Sequence, residues 1–314
     1  MQQISVVVPC FNEEKALPMF YEAIRRVAAQ MHDTYTFEFI FIDDGSTDGT
    51  LDVLRNLCGQ DERVMYQSFS RNFGKEAGIR CGLETSRGDF VVIMDADMQD
   101  PPDLLPKMME RLLAEKADSI ATRRVTREGE PPIRSMFARA FYRLFNKFSH
   151  VELMDGARDY RIMTRQMVNA ILSMPEYNRF SKGIFSWVGF KTIWMEYENV
   201  ERCAGETKWS FGKLFLYSIE GLTAFSVAPL ALASVVGLAL CVIAIVFIIY
   251  IVIRTWLFGN AVSGYPSLMC VITFVGGIQL FCVGILGQYL AKTYIETKHR
   301  PLYIVKENSK QAKN

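Results

Sequence analysis

The chain has 314 residues, of which half are hydrophobic and 22% are charged, and its formal net charge is +1 at pH 7. This near-neutral balance excludes a bulk basic surface for nucleic acid, and the length favours one large domain or two ordinary ones. Seven cysteines without a CxxC pair match neither a zinc-site spacing nor a disulfide framework, so we expect a reducing cytosolic setting for the soluble part. The first residues run directly into a strand-like segment, and no signal peptide is predicted.

The first third of the chain alternates between strand and helix patterns. Residues 4–8 are a β-branched run, and apolar residues then recur at helical spacing from 16 to 31. Further strand-like runs at 37–42, 64–69 and 90–94 each follow a helical stretch. This alternation predicts βαβ units and a mainly parallel sheet. No GxGxxG follows the first strand, which disfavours a nicotinamide enzyme.

Each of these four strands is followed by a polar cluster, at residues 9–14, 43–46, 70–75 and 95–100. Any one cluster is compatible with ordinary turn chemistry, because Asp, Asn and Gly favour turns. Ligands of open α/β sheets, however, bind beyond the carboxyl ends of the strands. Four clusters in register therefore predict a binding site at this edge of the sheet.

Asp95 and Asp97 lie two residues apart, just past a buried strand, with Gln99 and Asp100 behind them. Carboxylate oxygens in this arrangement suit Mg²⁺ or Mn²⁺, which commonly share such ligands with substrate phosphates. We therefore expect Asp95-Ala96-Asp97 to be the centre of the active site, with a metal that neutralises a diphosphate leaving group.

Residues 134–149 predict an amphipathic helix, with aromatic residues on one side and Arg139, Arg143 and Lys147 at i, i+4 spacing. The pattern is typical of a helix that lies in the lipid headgroup region. A core helix with one solvated face remains the alternative.

Two uncharged runs follow near the C-terminus. Residues 229–253 and 268–290 are each long enough to cross a bilayer, which needs about 20 apolar residues. Basic residues flank both runs, so the catalytic part, residues 1–210, is expected in the cytoplasm. Residues 211–228 are expected to form a juxtamembrane interfacial helix, and 292–314 a cytoplasmic tail that is frayed from residue 307. Two buried helices of a globular domain are the alternative.

The motifs at residues 6–13, 43–46, 70–75 and 95–102 resemble those of family-2 glycosyltransferases of the GT-A fold. The resemblance is strongest to polyprenyl-phosphate glycosyltransferases, which include dolichol-phosphate mannose synthases and bactoprenol glucosyltransferases. Residues 258–267 and 294–301 are similar to the bactoprenol glucosyltransferase subgroup in particular. The resemblance implies an α/β GT-A domain with a mainly parallel sheet, interfacial helices and two C-terminal transmembrane helices.

The resemblance also implies roles for individual residues. The residues implied in nucleotide-sugar binding are Pro9, Asn12, Glu13, Asp44, Arg71, Lys75 and Asp95. The residues implied as metal ligands are Asp95, Asp97 and Gln99, and the catalytic residues are Asp97 and Asp159. Asp159 is the family's candidate catalytic carboxylate, but it could instead orient the acceptor, support the sugar or form a surface salt bridge with Arg158 or Arg161.

Arg202 and Lys208 lie in a segment that resembles the family's Arg-x-x-Gly-x-Ser-Lys-aromatic motif. There they would bind the acceptor phosphate through charge-assisted hydrogen bonds. Basic residues that simply flank a membrane span are the alternative.

The expected reaction is inverting transfer of a hexose, with glucose favoured, from a UDP-sugar to undecaprenyl phosphate. The expected product is a lipid-linked sugar for cell-envelope or O-antigen glycan modification. The expected setting is the bacterial inner membrane, with a multi-pass protein that forms a homo-oligomer such as a tetramer. The alternatives are transfer of mannose, GlcNAc or aminoarabinose, a processive polysaccharide synthase, and a non-enzymatic membrane scaffold.

Overall fold

The computed structural model describes residues 1–124, 146, 154–197, 228–258 and 264–309. Three predictions fall outside this part. They are the helix at 134–149, of which only residue 146 is described, the juxtamembrane segment before residue 228, and the segment with Arg202 and Lys208. The strands are β1 Gln2–Cys10, β2 Tyr35–Asp43, β3 Val64–Phe69, β4 Phe90–Ile93, β5 Ser119–Arg124, β6 Ala157–Thr164, β7 Thr192–Tyr197 and β8 Val305–Asn308. The helices are α1 Ala16–Gln30, α2 Thr50–Gln60, α3 Lys75–Thr85, α4 Leu105–Ala114, α5 Arg165–Leu172, α6 Ser181–Trp187, α7 Ala228–Phe258 and α8 Tyr265–Thr297, with a 3₁₀ turn at Pro102–Leu104.

The eight strands of the described ranges form one sheet, in the order β7-β5-β6-β4-β1-β2-β3-β8. Strand β1 pairs in parallel with both β2 and β4, and β2 pairs in parallel with β3. The predicted α/β class and mainly parallel sheet are therefore confirmed. Two strands run the other way: β6 is antiparallel to its neighbours β4 and β5, and β8 is antiparallel to β3.

Apolar side chains cover both faces of the sheet. Along β1, Val6 packs into one hydrophobic cluster and Val7 into the other, because successive side chains of a strand point to opposite faces. Helix α3 lies so close to β1 that a Cβ on Gly82 would fall 2.1 Å from a methyl carbon of Val7. Burial on both faces explains why these strands read as nearly continuous apolar runs in the sequence.

The two C-terminal helices, α7 and α8, contain the two predicted membrane spans and contact each other. By length and composition, one helical segment among the described residues is suited to cross a membrane: Phe274–Thr297, with 24 residues and a mean hydropathy of 1.6. In α7, Val235–Phe247 is a shorter apolar stretch. The described residues therefore support one candidate span, and the second stays a prediction.

The C-terminal tail corrects one expectation. Residues from 307 onward were expected to be frayed, yet Glu307 and Asn308 belong to β8, which pairs with β3. Glu307 accepts hydrogen bonds from Arg55 (Nε 2.9 Å, Nη2 2.6 Å) and from the Tyr66 hydroxyl (2.7 Å). The prediction failed because the partners are more than 240 residues away in sequence, and a short polar segment carries no local sign of such pairing. Residues 310–314 lie outside the described part.

Candidate active site

The loops after β1 and β2 are held together by hydrogen bonds at the carboxyl edge of the sheet. The backbone N–H of Asn12 donates to Ser46 Oγ (2.9 Å), and that of Thr47 donates to Asn12 Oδ1 (2.8 Å). The N–H of Glu13 donates to Thr50 Oγ1 (2.8 Å). Asn12 has a φ of 56°, a left-handed conformation that Asn tolerates better than most residues. The two polar loops therefore form one continuous wall beside the strand ends.

Asp44 fixes the loop that follows β3. Its buried carboxylate accepts hydrogen bonds from the N–H of Phe73 (2.6 Å) and of Gly74 (2.9 Å). Burial raises the pKa of Asp44, and these two hydrogen bonds partly offset the rise. Gly45 approaches the same loop so closely that a Cβ there would fall 2.4 Å from the carbonyl carbon of Arg71, and its φ of +67° also requires glycine. Asp44 and Gly45 thus determine where Arg71 lies.

Lys75, at the start of α3, joins two carboxylates from different strands. Its Nζ lies 2.6 Å from Asp95 Oδ1, just past β4, and 2.5 Å from Asp159 Oδ2 in β6. Burial by itself would lower the pKa of Lys75, but the two carboxylates outweigh it and raise that pKa well above its usual value. The ammonium therefore stays charged and holds the two acidic groups together.

Asp159 is kept ionised by its cationic neighbours. Burial by itself would raise the pKa of Asp159, but Lys75, followed by Lys182 and Arg161, holds it well below its usual range. A carboxylate with so low a pKa is a weak base at neutral pH. The sequence suggested Arg158 or Arg161 as a salt-bridge partner of Asp159. In the structure, the Asp159 carboxylate forms its ion pair with Lys75 instead.

Arg158 is instead part of a second network, behind the Asp95–Asp100 turn. Its Nε donates to Asp100 Oδ1 (3.1 Å) and its Nη2 donates to Gln99 Oε1 (3.1 Å). The hydroxyl of Tyr197 also donates to Asp100 Oδ1 (2.6 Å). Burial raises the pKa of Asp100, and the Arg158 charge opposes that rise. Sequence reasoning missed Arg158 and Tyr197 as partners, because only the pairing of β6 with β4 and of β5 with β7 brings them here.

Asp97 lies in the same turn and is 8% exposed. Its Oδ1 accepts a hydrogen bond from the backbone N–H of Gln99 (3.1 Å). Within the described ranges, no group of three or more His, Cys, Asp or Glu side chains gathers into a metal-binding cluster. A divalent cation here would have to take its remaining ligands from elsewhere, as Mg²⁺ does when it binds one or two carboxylates together with substrate phosphates.

The predicted site residues thus divide into two groups. The described ones all fall at or beside the carboxyl edge of β1–β4: Pro9, Asn12, Glu13, Asp44, Arg71, Lys75, Asp95, Asp97, Gln99 and Asp159. The other two, Arg202 and Lys208, lie outside the described residues. Lys75, Asp95 and Asp159 are partly exposed at this edge, where the sequence predicts the binding site.

Comparison with known families agrees with that geometry. Residues 5–172 match the family model described as Glycosyl transferase family 2. The chain belongs to this family, and it is a glycosyltransferase.

Several curated relatives align over almost their whole length. A protein of Escherichia coli (strain K12) named "Prophage bactoprenol glucosyl transferase homolog" is 42% identical over 308 residues, which cover 98% of this chain and all of the relative. The "Bactoprenol glucosyl transferase" of Shigella phage SfV is 42% identical, with 98% and 99% covered. The "SfII prophage-derived bactoprenol glucosyl transferase" of Shigella flexneri is 41% identical, with 98% of each chain covered. The predicted subgroup resemblance is confirmed.

Proposed function

We propose that the protein transfers glucose from UDP-glucose to undecaprenyl phosphate with inversion at the anomeric carbon, and that the lipid-linked glucose serves cell-envelope or O-antigen glycan modification. Relatives named bactoprenol glucosyl transferases, which match nearly end to end, support the choice of sugar and lipid. The observation that carries the proposal is the Lys75 ammonium held between Asp95 and Asp159. This ammonium links β4, on the side of the sheet that bears the predicted nucleotide residues, to β6 on the other side.

The donor binds along the wall made by the first three loops. Pro9, Asn12, Glu13 and Asp44 line the nucleotide pocket, and Asp44 holds the backbone of the loop that carries Arg71. The exposed guanidinium of Arg71, stacked 4.0 Å from the Phe73 ring centroid, is available to the diphosphate. Charge and a preformed loop together position the phosphates before reaction.

Asp95, Asp97 and Gln99 would hold a divalent cation, Mg²⁺ or Mn²⁺. Their oxygens are the hard donors that these ions prefer, and two carboxylates leave coordination positions for phosphate oxygens. When bound, the cation supplies positive charge that stabilises the diphosphate as it leaves. Gln99 Oε1 accepts a hydrogen bond from Arg158 Nη2 (3.1 Å), so Gln99 would bind the cation only by sharing or exchanging that bond.

The acceptor needs no strong base. The second pKa of a phosphate monoester is about 6, so its oxygens are already largely deprotonated at neutral pH. One phosphate oxygen attacks the anomeric carbon, the bond from that carbon to UDP breaks, and UDP leaves as an anion. Asp159, which is ionised and weakly basic, acts by holding Lys75 in place between the two substrates. Arg202 and Lys208 bind the acceptor phosphate.

The lipid acceptor explains the membrane helices. We place residues 229–253 and 268–290 across the bacterial inner membrane, with the catalytic domain on the cytoplasmic side and several copies forming a homo-oligomer. The 31-residue α7, whose single charged residue is Arg254, supports the first span, and Phe274–Thr297 supports the second. Two spans keep the active site beside a substrate that stays in the bilayer.

A panel of radiolabelled UDP- and GDP-sugars tests the proposal, with undecaprenyl phosphate and Mg²⁺ or Mn²⁺. We expect label from UDP-glucose to appear in a lipid fraction, one sugar per lipid. Label from GDP-mannose alone, or label in a polymer, would refute the assignment.

Asp97→Ala should abolish this transfer while leaving the protein folded and membrane-bound. Asp103→Ala is the matched control, because Asp103 is exposed and lies only six residues further along the chain. Full activity of the Asp97 variant, in a reaction that still requires a divalent cation, contradicts the site assignment.

A further inference from the structure

Arg161, in β6, is a buried cation with few hydrogen-bond partners among the described residues. The residue is 3% exposed, and its Nε has no hydrogen-bond partner in the described part of the chain. Its Nη2 donates one long bond, 3.5 Å, to the carbonyl of Arg158. The guanidinium lies 3.8 Å from the centroid of the Phe185 ring. Burial lowers the pKa of Arg161 to about 10, so the group is still charged at neutral pH.

Such an arrangement is unfavourable without an anion. Buried charges in proteins are normally paired and hydrogen-bonded, and burying polar groups without partners costs free energy. A cation–π contact with Phe185 compensates only part of this loss, because the ring satisfies none of the N–H donors. Asp159 acts on Arg161 through its charge, but it forms its ion pair with Lys75.

Arg161 lines a cavity of about 320 Å³ whose other walls include Met154, Phe190, Thr192 and Trp194. The strand register explains the space. Ala121 of β5 pairs with Arg161 on one side and with Trp194 on the other, so a small side chain lies between two large ones in one row of the sheet. Four of the seven lining residues are apolar or aromatic (Met154, Phe185, Phe190 and Trp194), and the other three are Arg161, Ser186 and Thr192.

Arg161 places the cavity on the same face of the sheet as Asp159, on the side away from the nucleotide residues. Asp159 precedes Arg161 by two positions in β6 and therefore shares its face of the sheet. Lys182 adds positive charge nearby, since its Nζ donates to the carbonyl of Ala157 (2.9 Å). Strand β4, which carries Asp95 at its end, separates β6 from the strands whose loops form the nucleotide wall.

We propose that this cavity binds the phosphate head and the first isoprene unit of the acceptor, with Arg161 as a phosphate ligand. This proposal rests on the proposed function and names a subsite within it. Guanidinium donors match phosphate oxygens in pairs, and a phosphate dianion supplies the missing counter-charge. A neutral sugar would leave Arg161 uncompensated. Met154, Phe190 and Trp194 provide the apolar wall that an isoprenyl group needs.

Steady-state kinetics with UDP-glucose and undecaprenyl phosphate test the proposal. We expect Arg161→Met to raise the KM for undecaprenyl phosphate about tenfold or more and to change the KM for UDP-glucose less than twofold. Arg161→Lys, which keeps the charge but loses the paired donors, should raise the acceptor KM less. Arg111→Met, at a partly exposed position paired with Glu115, is the matched control and should change neither value.

A second variant, Thr192→Phe, fills the cavity and leaves Arg161 in place. It should also raise the acceptor KM selectively. An unchanged acceptor KM in both variants overturns the proposal, as does an equal rise in the KM for donor and acceptor. If Arg161→Met does not fold, a normal acceptor KM in Thr192→Phe overturns it by itself.

Direct binding separates this proposal from the proposed function. The full-length protein, without donor, is titrated separately with farnesyl phosphate, farnesol and inorganic phosphate. Quenching of tryptophan fluorescence is measured, and Trp194→Phe shows whether the signal comes from Trp194. The subsite is supported if farnesyl phosphate quenches the fluorescence saturably and both Arg161→Met and Trp194→Phe abolish the quenching. This result supports the subsite even if no glucose is transferred. Equal quenching by farnesol, or saturation by inorganic phosphate alone at the same concentration, contradicts the combined phosphate and isoprene site.

Discussion

The docked tail makes a quantitative prediction about Glu307. This carboxylate accepts hydrogen bonds from Arg55 and from Tyr66, which together hold the pKa of Glu307 at about 2, against a usual value of 4.5. At about 1.4 kcal/mol per pKa unit, the depression corresponds to roughly 3.5 kcal/mol. Because the Arg55 side chain is 46% exposed, solvent screening reduces this figure, and we expect about 1–2 kcal/mol.

Glu307→Gln should therefore lower the free energy of unfolding of the catalytic domain by about 1–2 kcal/mol at pH 7. The sign follows from the lowered pKa. The stabilisation is fully present above the unfolded-state pKa near 4.5 and is lost as the pH falls toward 2. The difference between wild type and variant should consequently shrink between pH 4.5 and pH 2.

Thermal unfolding in detergent, followed by circular dichroism at several pH values, measures this difference. Hydrogen exchange adds a local readout, since the Ser309 N–H donates to the Tyr66 carbonyl (3.0 Å) and should exchange faster in the variant. Asp52→Asn is the matched control, because Asp52 also contacts Arg55 but is 80% exposed. If that variant destabilises the protein as much, or if Glu307→Gln alters neither stability nor exchange, the reasoning about the docked tail is wrong.

Three further predictions concern the site and its support. Lys75→Met should reduce kcat/KM about 100-fold, since it leaves two carboxylates facing each other without the cation; a loss below threefold would refute this role. Gly82→Ala should cost about 1–3 kcal/mol in chemical denaturation, because the new Cβ would overlap Val7, and a neutral result would contradict the close helix–strand packing. Tyr197→Phe should lower the free energy of unfolding by about 1–3 kcal/mol, because it removes a hydrogen-bond donor to buried Asp100. Thermal unfolding should then show a lower midpoint, and an unchanged midpoint would count against the network.

The sequence was informative where the signal is local. Runs of β-branched residues and helical spacing located β1 to β4 and α1, since the strand period of two and the helix period of 3.6 depend on neighbouring residues only. The polar clusters after these strands placed Asp44, Lys75 and Asp95 at one edge, because parallel strands bring their carboxyl ends together. Family membership followed from the same motifs.

The tertiary structure decided the contacts between distant segments. Lys75 and Asp159 are 84 residues apart, and Arg55 and Glu307 are 252 apart, so no local pattern indicates either pair. The antiparallel insertion of β6 beside β4 brings Asp159 to Lys75 and buries Arg161 against Phe185. The sequence by itself determined which residues could carry the chemistry; the strand order, which depends on long-range pairing and burial, decided which of them meet.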